Sequence, residues 1–281
     1  MEKIFIKGFD HLNTWFSKDP EPSDKKYKNL EFFRIFFIAL ILISLIFTNL
    51  IVFIPLKFLE SKFNLDRRSY LIVSFVSRLA LRFLKIDYNM YGEPMKENGC
   101  IVSNHVSWLD IFALSAVQNI VFVSKSDVSQ WFGIGFLAKI VGVLFINRDK
   151  TQIIANNQSL EDRLFLGERL LFFPEGTSSD GLQVLPFKST LFQALIEADK
   201  KLLNLYVQGV TIRYSAPEGE DKRFYGWWGN ISFKDHLFRI LSNKKGGKID
   251  LFFHPPRKVS QFMGRKDMSR SLEHEIASIL A

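Results

Sequence analysis

From Ile35 to Leu56 the chain runs for about 22 residues without one charged side chain. In hydrocarbon a backbone must satisfy its own polar groups, so such a run folds as a helix, which here rises roughly 33 Å against a bilayer core of roughly 30 Å. The expectation is a transmembrane helix. Asn49 and Pro55 lie inside the run and offer places to break it, so a re-entrant or interfacial helix is the alternative. A cleavable signal peptide does not fit, because the run starts beyond residue 30, is too long for a signal core and lacks a small-residue cleavage pattern at its end. Flanking cations are balanced: Lys25, Lys26, Lys28 and Arg34 precede the run, and Lys57, Lys62, Arg67 and Arg68 follow it. The positive-inside rule therefore assigns no orientation.

The 281 residues suffice for this segment and one globular domain of about 200 residues. The expected division is a tether at 1–30, a transmembrane helix at 31–60, an amphipathic interfacial helix at 61–90, a catalytic domain at 91–260 and a terminal helix at 261–281. A net charge of +8 attracts polyanions. Beside a membrane helix the nearest polyanion is the headgroup layer, where each Lys or Arg adds about 1 kcal/mol. Zinc-finger spacing, a basic zipper and an aromatic RNA-binding signature are all missing from the sequence, so nucleic acid is not an expected partner. Cys100 is the single cysteine, which excludes an internal disulfide and suits a buried, inert thiol.

Lys18 to Lys28 mixes two prolines and a serine with dense charge, a composition that predicts an exposed, poorly ordered tether. Ser69 to Ile86 repeats apolar residues at helical spacing with Arg78, Arg82 and Lys85 on one face; such a helix lies on headgroups or packs on the domain. Beyond residue 95 short apolar runs alternate with helical patterns, as in an α/β domain. Strands are expected at 100–103, 120–124, 144–147, 169–173, 204–214 and about 249–253. Helices are expected at 107–117, 130–141, 151–168 and 188–198, from Asp235, and at the C-terminus.

After the first of these strands comes Asn104-His105-Val106-Ser107-Trp108-Leu109-Asp110. Ser107 is placed to cap the next helix, with Asp110 three residues on as in a capping box, which needs no catalysis. A carboxylate in that first turn can also reach back to the His105 imidazole, fix its tautomer and stabilise its cation. Two further blocks follow in order: Gly142-Val143-Leu144-Phe145-Ile146-Asn147-Arg148 and Phe173-Pro174-Glu175-Gly176-Thr177.

With these three blocks behind a membrane segment, the chain resembles the 1-acylglycerol-3-phosphate acyltransferases of the PlsC-like phospholipid/glycerol acyltransferase superfamily. The resemblance covers about residues 95–215. It implies a mixed α/β sheet flanked by helices, with His105 as general base and Asp110 as its partner. The base would deprotonate the free hydroxyl of a lysolipid for attack on an acyl thioester, with no serine or cysteine nucleophile. It further implies that Arg148, Glu175, Gly176 and Thr177 surround the acceptor headgroup, joined by Lys188. Asn104, Gly142, Phe145, Phe173 and Pro174 would support the motifs. No cofactor is implied beyond the donor, acyl-CoA or acyl-carrier protein, and no metal-ligand spacing occurs in the sequence.

The acceptor implied is lysophosphatidic acid, giving phosphatidic acid, at the cytoplasmic side of a bacterial inner membrane. Two departures qualify it. Many family members follow the Glu-Gly-Thr with Arg, where this chain has Ser178, and a Pro is common where this chain reads Val207-Gln208-Gly209-Val210. Together with Ser179-Asp180-Gly181 and Gly226-Trp227-Trp228-Gly229, the pattern is similar to a bacterial branch that includes lyso-ornithine lipid acyltransferases. The paired Trp residues could flank the lipid site, anchor at the interface or simply pack. Gly176-Thr177-Ser178-Ser179-Asp180 only half resembles a nucleophile elbow, so a serine hydrolase is disfavoured. A thioesterase and a non-catalytic membrane-anchored binding protein are the remaining alternatives. His236 and His254 stand alone and read as structural or surface residues.

Overall fold

The computed structural model describes residues 14–21, 27–63, 65, 67–131, 133–147, 152–202 and 204–280. The apolar run extends at both ends into one unbroken helix, α1 (Asn29–Phe63), about 52 Å long and apolar enough to cross a membrane. Neither expected break point interrupts it. Asn49 donates its amide to the Leu45 carbonyl at 2.8 Å and Thr48 its hydroxyl to Ser44 at 2.7 Å, so the polar groups are satisfied within the helix itself. Pro55 lies within it. α2 (Ser69–Phe83) follows after a short turn. Glu60 closes that turn, accepting from the Ser69 N–H and hydroxyl at 2.6 Å each. α2 turns its small residues toward the next helix, and Ser74 and Arg78 both donate to the Ala116 carbonyl at 2.8 Å. Arg78 thus caps a neighbouring helix end instead of belonging to a free cationic face.

The domain alternates β1 (Ile86–Tyr91), β2 (Gly99–Ser103), α3 (Leu109–Val117), β3 (Val121–Lys125), α4 (Ile134–Val141), β4 (Leu144–Ile146), α5 (Ile153–Phe165) and β5 (Leu170–Phe172). It then continues with α6 (Thr190–Leu202), β6 (Tyr206–Ser215), α7 (Phe233–Ser242), β7 (Gly247–Phe253), β8 (Arg257–Lys258) and α8 (Arg265–Ala277). Among the described residues the strands form one mixed sheet of order β1-β7-β6-β2-β5-β3-β4, with β8 on β6. β6 runs parallel to β2 and antiparallel to β7 and β8; the other pairs are parallel.

Alternation along β2 divides the core. Ile101 faces a cluster shared with α1, α2, α3 and α7, while Cys100 and Val102 face one shared with α5, α6 and α8. Burial pushes the Cys100 thiol up to about 12, so it is inert.

Four expectations are revised. The helix expected at 130–141 is a 3-10 turn (Ser126–Gln130) and a shorter α4, separated by Gly133 at a φ of 72°. β1 was not foreseen and already belongs to the sheet, so the domain begins before residue 91. The terminal helix is no separate unit, since Met268, Leu272 and Ile276 are buried in the core. The described part of the N-terminal tether is docked: Gly229 donates to the Trp15 carbonyl at 3.0 Å, and Asn230 to Glu21 at 2.6 Å. Of that tether, residues 1–13 and 22–26 lie outside the described residues.

Candidate active site

β2, β5, β3 and β4 are parallel, so their carboxyl ends open on one edge of the sheet, where α/β domains bind ligands. The His105 block leaves β2 at that edge and the Phe173–Thr177 block leaves β5 beside it. β4 ends there too, three strand spacings or about 14 Å from β2. Arg148, beyond it, lies outside the described residues.

Asn104 comes first. Its side chain is fully buried, donates to the Ile212 carbonyl at 2.9 Å and accepts from the Ile212 N–H at 2.7 Å. It continues the β2–β6 pairing past the end of the strand and fixes where the loop leaves. His105 and Asp110 then meet: Nδ1 lies 2.8 Å from Oδ2. The same oxygen accepts from the N–H groups of Val106 at 2.7 Å and Ser107 at 3.0 Å. The expected capping contacts and the contact to the imidazole are therefore made by a single carboxylate. Ser107 accepts from Leu109 N–H at 3.3 Å, and α3 begins at Leu109, two residues later than expected.

A carboxylate only accepts, so Nδ1 carries the proton and Nε2 is left as the basic nitrogen. The imidazole keeps 20% of its side-chain surface open, while Asp110 has none. Phe173 stacks on the ring at a centroid distance of 4.1 Å and 15° between planes. It holds the imidazole flat against the β5 segment.

The backbone around the base is held from three sides. Glu175 accepts from His105 N–H at 2.7 Å and, through its other oxygen, from Leu185 N–H at 3.0 Å. Ser179 N–H donates to the His105 carbonyl at 2.9 Å, and Trp227 N–H to the Val106 carbonyl at 3.0 Å. Glu175 is thus turned inward onto backbone. Burial pushes its carboxyl up to about 8 despite the two amide donors that favour the charged form. Of the remaining expected residues, Gly176, Thr177, Pro174 and Lys188 lie in the β5 loop beside this frame, while Gly142 and Phe145 belong to the α4–β4 side of the sheet. Gly176 adopts a φ of 74° and donates to the Phe173 carbonyl, and the Thr177 hydroxyl is 3.4 Å from the Ser178 carbonyl. Pro174 accepts from the Lys188 N–H at 2.9 Å; Lys188 itself is exposed and lies two residues ahead of α6. Gly142 ends α4 in the left-handed region and receives an Arg163 hydrogen bond on its carbonyl, and Phe145 of β4 pairs with Ser124 of β3.

The departures from the family pattern have structural partners. Ser178 donates to the Trp227 carbonyl at 2.5 Å, closing the Gly226–Gly229 segment onto the base loop. Gln208 links Met95, Glu93 and His254 backbone groups at 2.8 Å each. Gly209 turns no strand end. It lies inside β6, where an added Cβ would meet Glu275 at 3.1 Å.

Tyr214 escaped the sequence reading. Its hydroxyl donates to the second Asp110 oxygen at 2.7 Å. Burial, and then the neighbouring Asp110 charge, hold the phenol protonated well above its ordinary range. Its only sequence signal is its place near the carboxyl end of a strand, and that helps only once β6 is known to lie beside β2. His236 is structural: its Nδ1 accepts from Trp108 at 2.9 Å, and burial takes it down to about 3. Trp227 stacks on it, which fits the packing alternative for that residue. His254 pairs with Thr211 at 2.8 Å.

Comparison with known proteins agrees with this geometry. Residues 87–215 match the family described as Acyltransferase. A lyso-ornithine lipid O-acyltransferase from Rhodobacter capsulatus is 47% identical over 209 residues, covering 74% of this chain and 75% of that protein. A 1-acyl-sn-glycerol-3-phosphate acyltransferase from Neisseria gonorrhoeae is 38% identical, over 55% of this chain and 60% of its own. In fold, the chain is similar to the crystal structure of the acyltransferase PlsC from Thermotoga maritima, with a TM-score of 0.55 at 19% identity over 88% of this chain and 96% of that one. With its sheet, its His105–Asp110 pair and these relatives, the chain belongs to the PlsC family of acyltransferases.

Proposed function

We propose that the protein transfers a fatty acyl group from a thioester, acyl-CoA or acyl-carrier protein, to the free hydroxyl of a lyso-ornithine lipid. The chemistry rests on the His105–Asp110 contact. Nε2 takes the hydroxyl proton as that oxygen attacks the thioester carbonyl, and the collapsing intermediate expels a thiolate that regains the proton from the imidazolium. Thr177, Lys188 and Arg148 serve the acceptor headgroup in this reading, while Glu175 acts from beneath by positioning the base.

The acceptor rests on Ser178. Where many family members place a cation suited to a phosphate, this chain places a hydroxyl committed to the Trp227 carbonyl. An amino-acid headgroup carrying its own amine asks for fewer protein cations than a phosphate monoester does. The Rhodobacter relative's name points the same way. Lysophosphatidic acid is the second reading, favoured by the Neisseria relative.

The membrane reading changes in one respect. Arg34 donates to the Asn243 carbonyl at 3.0 and 2.6 Å, and Lys57 to the Ile140 carbonyl at 2.6 Å. These side chains are about 34 Å apart along α1, and both hold the domain. We read α1 as lying along the domain in the cytoplasmic leaflet of the inner membrane, not as a span leading away from it. The test is thiol release from acyl-CoA by the full chain in vesicles. Release should require lyso-ornithine lipid; stimulation by lysophosphatidic acid alone would overturn the acceptor, and release without any acceptor would indicate a thioesterase.

A further inference from the structure

At the C-terminal end of α1 three elements meet in a polar knot. Lys57 holds the Ile140 carbonyl at the end of α4, and Arg163 of α5 holds the next turn through the Gly142 carbonyl at 2.8 Å. Glu168, just past α5, is paired with both Arg163 and Arg67. Around this knot the domain exposes bulk apolar surface. Phe136 is 60% exposed, Val141 40%, Phe165 57% and Leu166 65%, comparable with Phe58 on α1 at 63%. Among the described residues from 86 to 280, eight large apolar side chains are exposed, and these four share this corner. An apolar groove of about 330 Å³, lined by Phe53, Ile54 and Phe58 of α1 and by Ile140 of α4, joins the corner to the helix.

Charge fits one occupant. Lys62, Arg67 and Lys139 are exposed around the apolar surface, with Arg67 paired to Glu168; of the nearby carboxylates, Glu60 and Glu168 are buried and taken by donors, and the exposed Asp162 accepts from Gln158. A cationic collar around exposed Phe and Leu suits anionic headgroups above acyl chains.

We propose that the outer ends of α4 and α5 form a second lipid-inserting surface, which enters the same leaflet as α1 and tilts the domain toward its β4 edge. This rests on the reading of α1 as membrane-embedded. The consequence is a lateral path: the segment from Gly142 to Asn147 leaves α4 at this corner and leads to the sheet edge, so a lysolipid can approach that edge from the leaflet without leaving it.

The test uses the full chain with Phe58→Cys, Phe136→Cys, Leu166→Cys or Met263→Cys, each labelled with an environment-sensitive fluorophore. Cys100 stays in place, because its buried thiol does not react. Met263, 94% exposed ahead of α8, reports a surface away from the corner. Vesicles of phosphatidylethanolamine and phosphatidylglycerol with brominated acyl chains should quench positions 136 and 166 as strongly as 58 and leave 263 bright. If 58 is quenched while 136 and 166 behave like 263, the second surface is refuted and the α1 reading stands. Quenching of 263 equal to that of 136 also refutes it. An unquenched 58 removes the α1 reading and this proposal with it.

Discussion

Tyr214 reaches His105 through Asp110 and Glu175 through the His105 N–H, and each contact makes a separate prediction. Without the Tyr214 phenol, Asp110 loses one of its donors, its charge concentrates toward His105, and the imidazolium holds its proton more tightly. Tyr214→Phe should therefore lower kcat/KM by about 10- to 150-fold, the equivalent of the roughly 1.5–3 kcal/mol of a hydrogen bond to a charged group, and move the acid limb of the pH profile upward. A uniformly lower rate with an unmoved limb would assign Tyr214 to packing. Glu175 has a carboxyl at about 8 in the folded chain, against an ordinary 4.5. Between those values the folded chain holds a proton that the unfolded chain has released, so stability falls as pH rises through that window. Denaturant unfolding should show this decline for the wild type and a flatter profile for Glu175→Gln; equal slopes would contradict it. At this scale the block motifs made His105 and Asp110 legible. They did not show that Glu175 faces backbone or that Phe173 lies flat on the imidazole, because both facts depend on β5 lying beside β2.

The elements were legible where apolar periodicity was strong and local. β2, β3, β5 and α5 fall within three residues of their expected ranges, and α6 runs four residues beyond its own. β1 was missed because its polar alternation is satisfied by a partner far along the chain: Asn89 donates to Asp250 of β7 at 3.1 Å. The 130–141 region failed for a backbone reason. Gly135 lies so close to the Ser129 carbonyl, 2.3 Å from where a Cβ would be, that a tight turn and not a continuous helix fills that space. Strand order was not readable either, and Asn104 depends on it. Asn104→Ala leaves the Ile212 N–H and carbonyl buried without their side-chain partner and should cost about 2–4 kcal/mol, read as a lower Tm. A shift within the error of the melt would mean that the β2–β6 junction holds without it.

For the molecule as a whole, the apolar run and the net charge pointed to membrane association, but not to how α1 sits on the domain. That follows from Arg34 and Lys57, whose flanking positions were legible and whose carbonyl partners more than 80 residues away were not. In the function we propose, His105 is the general base and acts beside the lipid boundary. The most direct measurement is thiol release from acyl-CoA with lyso-ornithine lipid by His105→Ala in vesicles, alongside cosedimentation and melting of the same variant. Turnover should fall by about 10²–10⁴, with binding and Tm retained; near-normal turnover would contradict general-base catalysis by His105.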